Sequence, residues 1–197
     1  MITGGRIRAF FAVPSPAAWV ESARRLVADL RGRSPQASWT RPESWHLTLL
    51  FLGEIEPSAA DALAAEGAGL AAACPPAELR ADHATVFPPR GRARVLGIGF
   101  AAGAPLAAIG ELARSLAAAA RRVDLEVERR EFHAHVTLAR LRDCWPDRDV
   151  EDFRTAVAAW SFPPYPAREL VLFESKLHPT GAVHTARGRW PLGGAAA

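Results

Sequence analysis

The chain has 197 residues, of which 49% are hydrophobic and 23% are charged, and its formal net charge is +3. These values are ordinary for a globular domain, and they exclude a chain that is wholly disordered, collagen-like or coiled-coil. No apolar run approaches the roughly 18–20 residues that a membrane-spanning helix needs. Two cysteines cannot form a disulfide framework, so we predict a cytoplasmic protein with reduced thiols and no contact with a membrane.

In chain order, hydrophobic periodicity and turn residues predict strands and helices in the first half of the chain. Ser15 is placed to cap the first helix, and PPRGR at 88–92 is typical of a turn. Strands are expected at 6–13, 45–53, 79–87 and 93–100, helices at 16–31 and 58–73, and a loop at 32–35.

The second half continues the same mixture of elements. The stretch 123–129 is compatible with a strand or with an extended connection, and Pro179 and Gly181 are expected to turn the last hairpin. The chain from 193 onwards is predicted to be a loose tail. Helices are expected at 105–121 and 150–160, and strands at 135–141, 168–175 and 183–190.

These elements indicate an α+β fold built as a pseudo-repeat. Each half has a strand, a long helix and then a strand that carries a histidine and a threonine. No low-complexity linker separates the halves. We therefore predict two pseudo-symmetric lobes that pack as one bilobal domain over residues 1–197.

The most informative local pattern is His-x-Thr, which involves four of the six histidines. The copies begin at His46, His83, His135 and His178. Chance predicts fewer than one such pair in a chain of this composition. For His83, His178 and His184 the simpler interpretation is a hydrogen-bonded histidine at the edge of the core. The His83 copy lies on a predicted strand but has no counterpart in a symmetric arrangement, so it ranks third.

Two of the copies lie inside strong strand predictions. Alternate residues of a strand point to the same face, so His46 shares a face with Thr48, and His135 shares one with Thr137. If the lobes face each other, two histidines and two threonines converge on one cleft. The residues expected to pack on the opposite faces are Leu47, Leu49, Phe51, Val136 and Leu138.

Two histidines and two small hydroxyls suit the hydrolysis of a phosphodiester. The attacking water needs a base and the leaving oxygen needs an acid, and an imidazole with a pKa of about 6.5 supplies either role near neutral pH. Threonine hydroxyls donate hydrogen bonds to non-bridging phosphate oxygens, where negative charge accumulates. This scheme requires no metal ion and no cofactor.

The sequence around both motifs resembles the two-histidine phosphoesterase superfamily, and within it the bacterial RNA 2′,3′-cyclic phosphodiesterases, also called 2′-5′ RNA ligases. That superfamily carries His-x-Thr/Ser-x twice, with x apolar, and this chain has HLTL at 46–49 and HVTL at 135–138. Ala134 stands where the family often has proline, and His184 stands where an aromatic residue is expected. The similarity covers nearly the whole chain and includes RAFFAVP at 8–14, WHLTLLFLGE at 45–54, HVTLAR at 135–140, LVLFESKL at 170–177 and RWPL at 189–192.

The resemblance implies two antiparallel sheets, backed by helices, that line a central cleft. It implies hydrolysis of a terminal RNA 2′,3′-cyclic phosphate to a 2′-phosphate, and reversal of the reaction would join RNA ends by a 2′-5′ bond. His46 then protonates the leaving 3′ oxygen, and His135 activates the water. Arg140 is a candidate for holding the phosphate or the RNA backbone. Strand alternation puts Arg140 out of phase with Thr137, so it reaches the cleft only if the strand ends or bulges, and a solvated arginine is the alternative.

Two other interpretations compete with this one. His133 and His135 form His-x-His, which on a strand can chelate zinc, although no further ligand stands at a recognisable spacing.

A module without catalysis would instead bind RNA or a nucleotide through a basic turn and stacking tryptophans. The residues for that binding would be Arg90, Arg92, Arg94, Trp39 and Trp45, for which a solvated loop and core-edge tryptophans are the simpler interpretation.

The substrate within the cyclic-phosphate class stays open at this point. RNA ends, small nucleotides and ADP-ribose derivatives that carry a cyclic phosphate suit the same cleft. A net charge of +3 neither demands nor excludes a nucleic-acid partner. We expect the protein to be a monomer.

Overall fold

The computed structural model describes residues 5–33, 37–127, 131–141, 145–178 and 181–194. Within them the chain forms four α-helices and a 3₁₀ turn at Pro42–Ser44. The helices are α1 (Ala17–Arg33), α2 (Pro57–Ala73), α3 (Ala104–Arg122) and α4 (Asp147–Ala158). The strands are β1 (Ile7–Pro14), β2 (Ser38–Trp39), β3 (His46–Ile55), β4 (Ala77–Leu79), β5 (Ala81–Phe87), β6 (Val95–Phe100), β7 (His135–Arg140), β8 (Tyr165–Ala167), β9 (Glu169–His178) and β10 (Gly181–Pro191).

Eight of these strands form one antiparallel sheet in the order β10-β9-β1-β3-β7-β6-β5, with β2 paired to β7. β4 and β8 form a separate small sheet. The large sheet has two halves, and among the described residues they pair only where Leu47 of β3 lies opposite Val136 of β7. The predicted α+β architecture with two antiparallel halves is confirmed, and the two halves are joined edge to edge.

Helices cover one face of the large sheet, and the candidate cleft lies on the other. α2 packs against β9 and β10, α3 packs against β3, and α4 packs against β5. Leu47 and Val136 are fully buried, whereas His46 and His135 are only half-buried. Alternation along each strand therefore separates a core face from a functional face. No helix of the described residues is both long enough and apolar enough to cross a membrane.

The prediction that Phe51 packs in the core is wrong. The pairing of β1 with β3 contains two register shifts, which leave Leu49 and Leu52 without a partner residue. Each such bulge inserts one residue and reverses the alternation that follows it. As a result Leu50 is buried and the Phe51 side chain is 51% exposed.

Other differences from the predicted elements are local. The predicted strand at 79–87 is interrupted at Arg80, because its two ends, β4 and β5, belong to different sheets. Residues 123–127 form a turn and an irregular connection with no strand, and the rest of that predicted segment lies outside the described residues. α1 continues through Gly32, which was expected in a loop.

Two short strands were not predicted. β2 and β8 have two and three residues, too few for an alternating pattern to emerge. Pro179, expected in the last hairpin turn, lies outside the described residues.

The buried hydroxyl of Tyr165, on β8, forms hydrogen bonds with β1, with the segment after β1 and with β3. Its side chain is fully buried, and its hydroxyl donates a hydrogen bond of 3.1 Å to the Val13 carbonyl. The Ser15 hydroxyl lies 3.3 Å away and donates to Tyr165, and the Leu47 backbone also hydrogen-bonds to it. Burial raises the pKa of Tyr165, so the phenol keeps its proton and remains a donor.

Replacing Tyr165 by Phe should lower the free energy of unfolding by about 1–2 kcal/mol, because the buried Val13 carbonyl loses its donor. Urea unfolding at pH 7 measures this change. Ser15→Ala is the control, with a smaller loss expected because it leaves the bond to Val13 intact. An unchanged unfolding midpoint for Tyr165→Phe would show that this hydrogen bond does not stabilise the fold.

Candidate active site

The His-x-Thr motifs that begin at His46 and His135 lie next to each other where the two halves of the large sheet meet. Leu47 and Val136 are antiparallel partners, so the same register places His46 opposite Thr137 and Thr48 opposite His135. Each histidine therefore lies next to the threonine of the other motif. The predicted convergence of the two motifs on one face is what the structure shows.

The imidazole rings of His46 and His135 each make a hydrogen bond to the backbone of the residue two positions earlier. The Nδ1 atom of His135 lies 2.7 Å from the carbonyl oxygen of His133. His46 makes the corresponding hydrogen bond to the backbone of Ser44, also two residues earlier. A carbonyl oxygen only accepts, so Nδ1 of His135 carries a proton. In the neutral ring its Nε2 is then a free acceptor and therefore a base.

The surroundings of both histidines favour the neutral imidazole. Burial, together with the charge of His184, lowers the pKa of His46 to about 4, and the hydrogen bond to Ser44 opposes the shift only in part. Burial also lowers the pKa of His135, with further lowering by the charges of His133 and Arg140. At pH 7 the free protein therefore presents two neutral imidazoles.

Arg140 reaches the cleft through a bulge. The register between β6 and β7 shifts at Leu96, which leaves Leu138 without a partner residue. The shift reverses the alternation, so Arg140 returns to the face of the histidines. Its positive charge helps to lower the pKa of both His46 and His135, which places it within electrostatic reach of both.

The threonine hydroxyls of the two motifs are available for a ligand. Among the described residues, neither Thr48 nor Thr137 uses its hydroxyl in a hydrogen bond to protein. Both side chains are partly exposed on the cleft face. They can therefore donate to an anion placed between His46 and His135.

An aromatic cluster that sequence analysis did not identify surrounds His46. The ring of Phe10 stacks on His46 with centroids 4.7 Å apart, and Phe173 stacks on Phe10 at 5.3 Å. The His184 ring meets His46 edge-on at 5.3 Å, and its buried Nδ1 atom has no hydrogen-bond partner in the described part of the chain. His184 thus belongs to the site, although its sequence context favoured a simple structural role.

Phe87 occupies the corresponding place beside the second histidine. Its ring centroid lies 4.8 Å from that of His135 and 6.0 Å from that of His133. No local sequence signal marks Phe87 or Phe10 as site residues, because each contacts its histidine from another strand of the sheet.

A groove of about 550 Å³ opens beside His46. This volume lies within the range of small-molecule binding sites. The groove combines aromatic rings with hydroxyl and charged groups, so it can accept a ligand that is partly apolar and partly polar. Its lining includes Ser15, Arg24, Phe173, His184 and Arg189.

The residues of the competing interpretations are placed less favourably. Trp45 is only 4% exposed and donates its Nε1–H to Thr40, so it offers no face to a base. Among the described residues, no group of three or more histidine, cysteine or acidic side chains could hold a metal ion. His178 lies at the exposed end of β9. Arg90 and Arg92 are exposed in the turn after β5.

Removing a neighbouring positive charge should raise the pKa of His46 above its value of about 4, because the protonated ring then meets less repulsion. We expect this increase for Arg140→Gln and for His184→Phe, measured by NMR titration of the histidine rings. Arg25→Gln, on the exposed face of α1, is the control and should leave the titration unchanged. If all three variants titrate like the wild type, these charges do not act on His46.

A family model and several known proteins match this chain over most of its length. The family model described as LigT-like phosphoesterase matches residues 13–97 and 102–184, with one match for each motif. An RNA 2′,3′-cyclic phosphodiesterase from Geobacillus stearothermophilus is 28% identical over 186 residues, which cover 94% of this chain. The chain spans 57% of the length of that relative.

Two solved structures share the fold over nearly their whole length. A protein from Thermus thermophilus is 27% identical, with a TM-score of 0.74, covering 95% of this chain and 99% of that chain. Escherichia coli LigT in its apo form is 25% identical, with a TM-score of 0.71, covering 96% and 99%. The family match covers both copies of the motif, which the pairing of β3 with β7 brings together. It shows that the chain belongs to the LigT-like phosphoesterase family.

Proposed function

We propose that the protein is a phosphodiesterase that hydrolyses terminal RNA 2′,3′-cyclic phosphates to 2′-phosphates by acid–base catalysis. The observation that carries the proposal is the placement of His46 and His135 on one face, each beside the threonine of the other motif. The Geobacillus relative named for this activity supports the choice of reaction. Structures of Escherichia coli LigT with phosphate and with NADP⁺ support a phosphate-binding cleft in this fold.

In the proposed reaction His135 acts as the base. Its Nδ1–H is held by the His133 carbonyl, so the free Nε2 takes a proton from the attacking water. The water oxygen bonds to phosphorus, and the bond from phosphorus to the 3′ oxygen breaks. His46 gives its proton to that oxygen, which leaves a 3′-hydroxyl and a 2′-phosphate. Both proton transfers are supplied by imidazoles, so the scheme needs no metal ion.

The acid role requires His46 to hold a proton when the substrate is bound. The free ring is neutral at pH 7 because its pKa is about 4. A cyclic phosphate carries one negative charge, and an opposite charge within about 4–6 Å favours the protonated form of histidine. Substrate binding therefore draws a proton onto His46, and the buried, repelled imidazolium transfers that proton readily to the leaving oxygen.

The remaining groups of the cleft suit the phosphate itself. Thr48 and Thr137 donate hydrogen bonds to the non-bridging oxygens, where negative charge increases as water attacks. Arg140 adds a fixed positive charge within reach of both histidines. The groove beside His46 has room for the nucleoside, with Phe173 as an aromatic surface for the base.

The same site suits the reverse reaction and smaller substrates. If the 5′-hydroxyl of a second RNA takes the place of water, the two histidines catalyse formation of a 2′-5′ bond. A free nucleoside 2′,3′-cyclic phosphate presents the same reacting atoms as an RNA end. A monomer that acts in the cytoplasm stays a prediction.

Replacing either His46 or His135 by Ala should lower kcat by about 100-fold or more, because each loss removes one proton-transfer group. Steady-state hydrolysis of a nucleoside 2′,3′-cyclic phosphate provides the measurement. His178→Ala, an exposed histidine on β9, serves as the matched control and should keep wild-type turnover. A near-wild-type kcat for His46→Ala or for His135→Ala would contradict the proposed acid–base role of that histidine.

A short RNA that ends in a 2′,3′-cyclic phosphate should be hydrolysed in excess EDTA to a product with the phosphate on the 2′ oxygen. Phosphorus NMR and enzymatic mapping of the product locate the phosphate. A 3′-phosphate product would contradict departure of the 3′ oxygen. Turnover that disappears in EDTA and returns with zinc would instead support a metal site at His133 and His135.

A further inference from the structure

A third His-x-Thr motif, which begins at His83, lies on β5, the outermost described strand on one side of the large sheet. His83 pairs with Gly99 of β6, and the same glycine pairs with His135 of β7. Directly paired residues share a face of the sheet, so His83 points towards the cleft. The third motif therefore lies beside the motif of His135, with only β6 between them.

Gly99 allows the His83 ring to approach the candidate site. A Cβ atom at Gly99 would overlap the His83 Nε2, so the imidazole lies over β6. Cβ atoms of directly paired residues lie about 5 Å apart, which puts the His83 Nε2 within about 8 Å of the His135 Cβ. One ribose with a phosphate on its 3′ oxygen spans a gap of this size.

The His83 ring is held through one nitrogen and is free at the other. Its Nδ1 lies 2.6 Å from an Asp82 carboxylate oxygen, and Nη2 of Arg80 lies 3.5 Å from the other oxygen of that carboxylate. Among the described residues Nε2 makes no hydrogen bond, and the side chain is 53% exposed. A protonated imidazole donates from both nitrogens, so Nε2 can bind an anion while Nδ1 stays with Asp82.

The direction of attack decides which ligand reaches His83. The attacking and leaving oxygens lie roughly in line on opposite sides of phosphorus. In the proposed reaction His46 protonates the leaving oxygen, so the nucleoside of the cyclic phosphate extends towards His46. The nucleophile lies on the side of His135, and β5 lies beyond β7 on that side. An alcohol nucleophile therefore carries its substituent towards His83, whereas water has no substituent to place there.

Building on the proposed function, we propose that β5 binds the second substrate of the joining reaction, an RNA end with a free 5′-hydroxyl. In this arrangement His83 binds the phosphate on the 3′ oxygen of the first nucleoside of that RNA. A carboxylate at Nδ1 and a phosphate at Nε2 give the protonated ring two charge-assisted hydrogen bonds. Arg80 balances the charge of Asp82, so the carboxylate does not repel the phosphate.

The joining step uses the same two histidines as hydrolysis. The 5′ oxygen of the incoming RNA bonds to phosphorus, and the bond from phosphorus to the 3′ oxygen of the cyclic phosphate breaks. His135 takes the proton of the 5′-hydroxyl, and His46 gives its proton to the released 3′ oxygen. The products are a 2′-5′ phosphodiester and a 3′-hydroxyl.

Phe87 adds an apolar surface for the incoming nucleoside. It lies four residues after His83 on β5, so strand alternation puts both side chains on the cleft face. The ring centroid of Phe87 lies 4.8 Å from that of His135, and the side chain is only partly buried. An aromatic ring in this place suits a ribose or a base next to the reacting hydroxyl.

The test measures how one donor partitions between water and two acceptors. The donor is a dinucleotide that ends in a 2′,3′-cyclic phosphate and carries a 5′-phosphate, so it cannot act as an acceptor. The acceptors are adenosine and adenylyl-(3′,5′)-adenosine at equal concentration, and only the second has a phosphate on the 3′ oxygen of the attacking nucleoside. We expect initial joining to be about tenfold faster with the second acceptor, because a hydrogen bond to a charged group is added.

Replacing His83 by Ala should bring the joining rates with the two acceptors close to equality, since the added phosphate loses its partner. Gly99→Ala, which displaces the His83 ring, should also reduce the preference. The exposed residue His178 provides the control, and His178→Ala should keep the wild-type preference. The ratio of joined to hydrolysed product is read from a single reaction, so it does not depend on how much of a variant is folded.

The outcomes separate this proposal from the proposed function. Wild-type protein that hydrolyses the donor but joins neither acceptor, or joins both equally, overturns the acceptor site and leaves the hydrolytic function intact. A His83→Ala variant that keeps the wild-type preference overturns the role of His83. Wild-type protein that forms neither the 2′-phosphate nor the joined product overturns both proposals.

Discussion

The pairing of Leu47 with Val136 is the contact on which the candidate site depends. It is the one point where the two halves of the large sheet meet among the described residues. Both side chains are fully buried, and burying each contributes about 1.5–3 kcal/mol. Because neighbouring residues of a strand point to opposite faces, the packing of these two apolar side chains turns both His-x-Thr motifs towards the cleft. The core thus sets the distance and orientation of the candidate catalytic groups.

The electrostatics of the cleft follow from that placement. Burial and nearby positive charges lower the pKa of both histidines, so the free site consists of neutral imidazoles, hydroxyls and the Arg140 guanidinium. An anion is the ligand that best satisfies such a site, since it attracts Arg140 and stabilises a protonated imidazole. The bulge that returns Arg140 to the cleft therefore changes the chemistry of the site, although it inserts only one residue into a strand.

Sequence analysis predicted the parts of the site that depend on local pattern. His46, Thr48, His135 and Thr137 lie on strands whose alternation is visible in the sequence, and the resemblance identified the doubled motif. Residues that reach the site from other strands were missed. Phe10 and Phe87 contact the candidate histidines His46 and His135 from other strands of the sheet, and a single sequence does not reveal strand order or register. For His184 a structural role was the simpler interpretation, because its contact with His46 comes from a distant strand of the sheet.

The sequence by itself determined the α+β class, most helices and strands, and the two motifs that point to phosphodiester chemistry, because these depend on periodicity and residue type. Only the tertiary structure decided which face Phe51 occupies, whether Arg140 reaches the cleft and whether His184 contacts His46. Each of these depends on a bulge or on cross-strand register, and one inserted residue reverses the direction of every side chain that follows. Such shifts are set by pairing with distant strands, which local sequence does not encode.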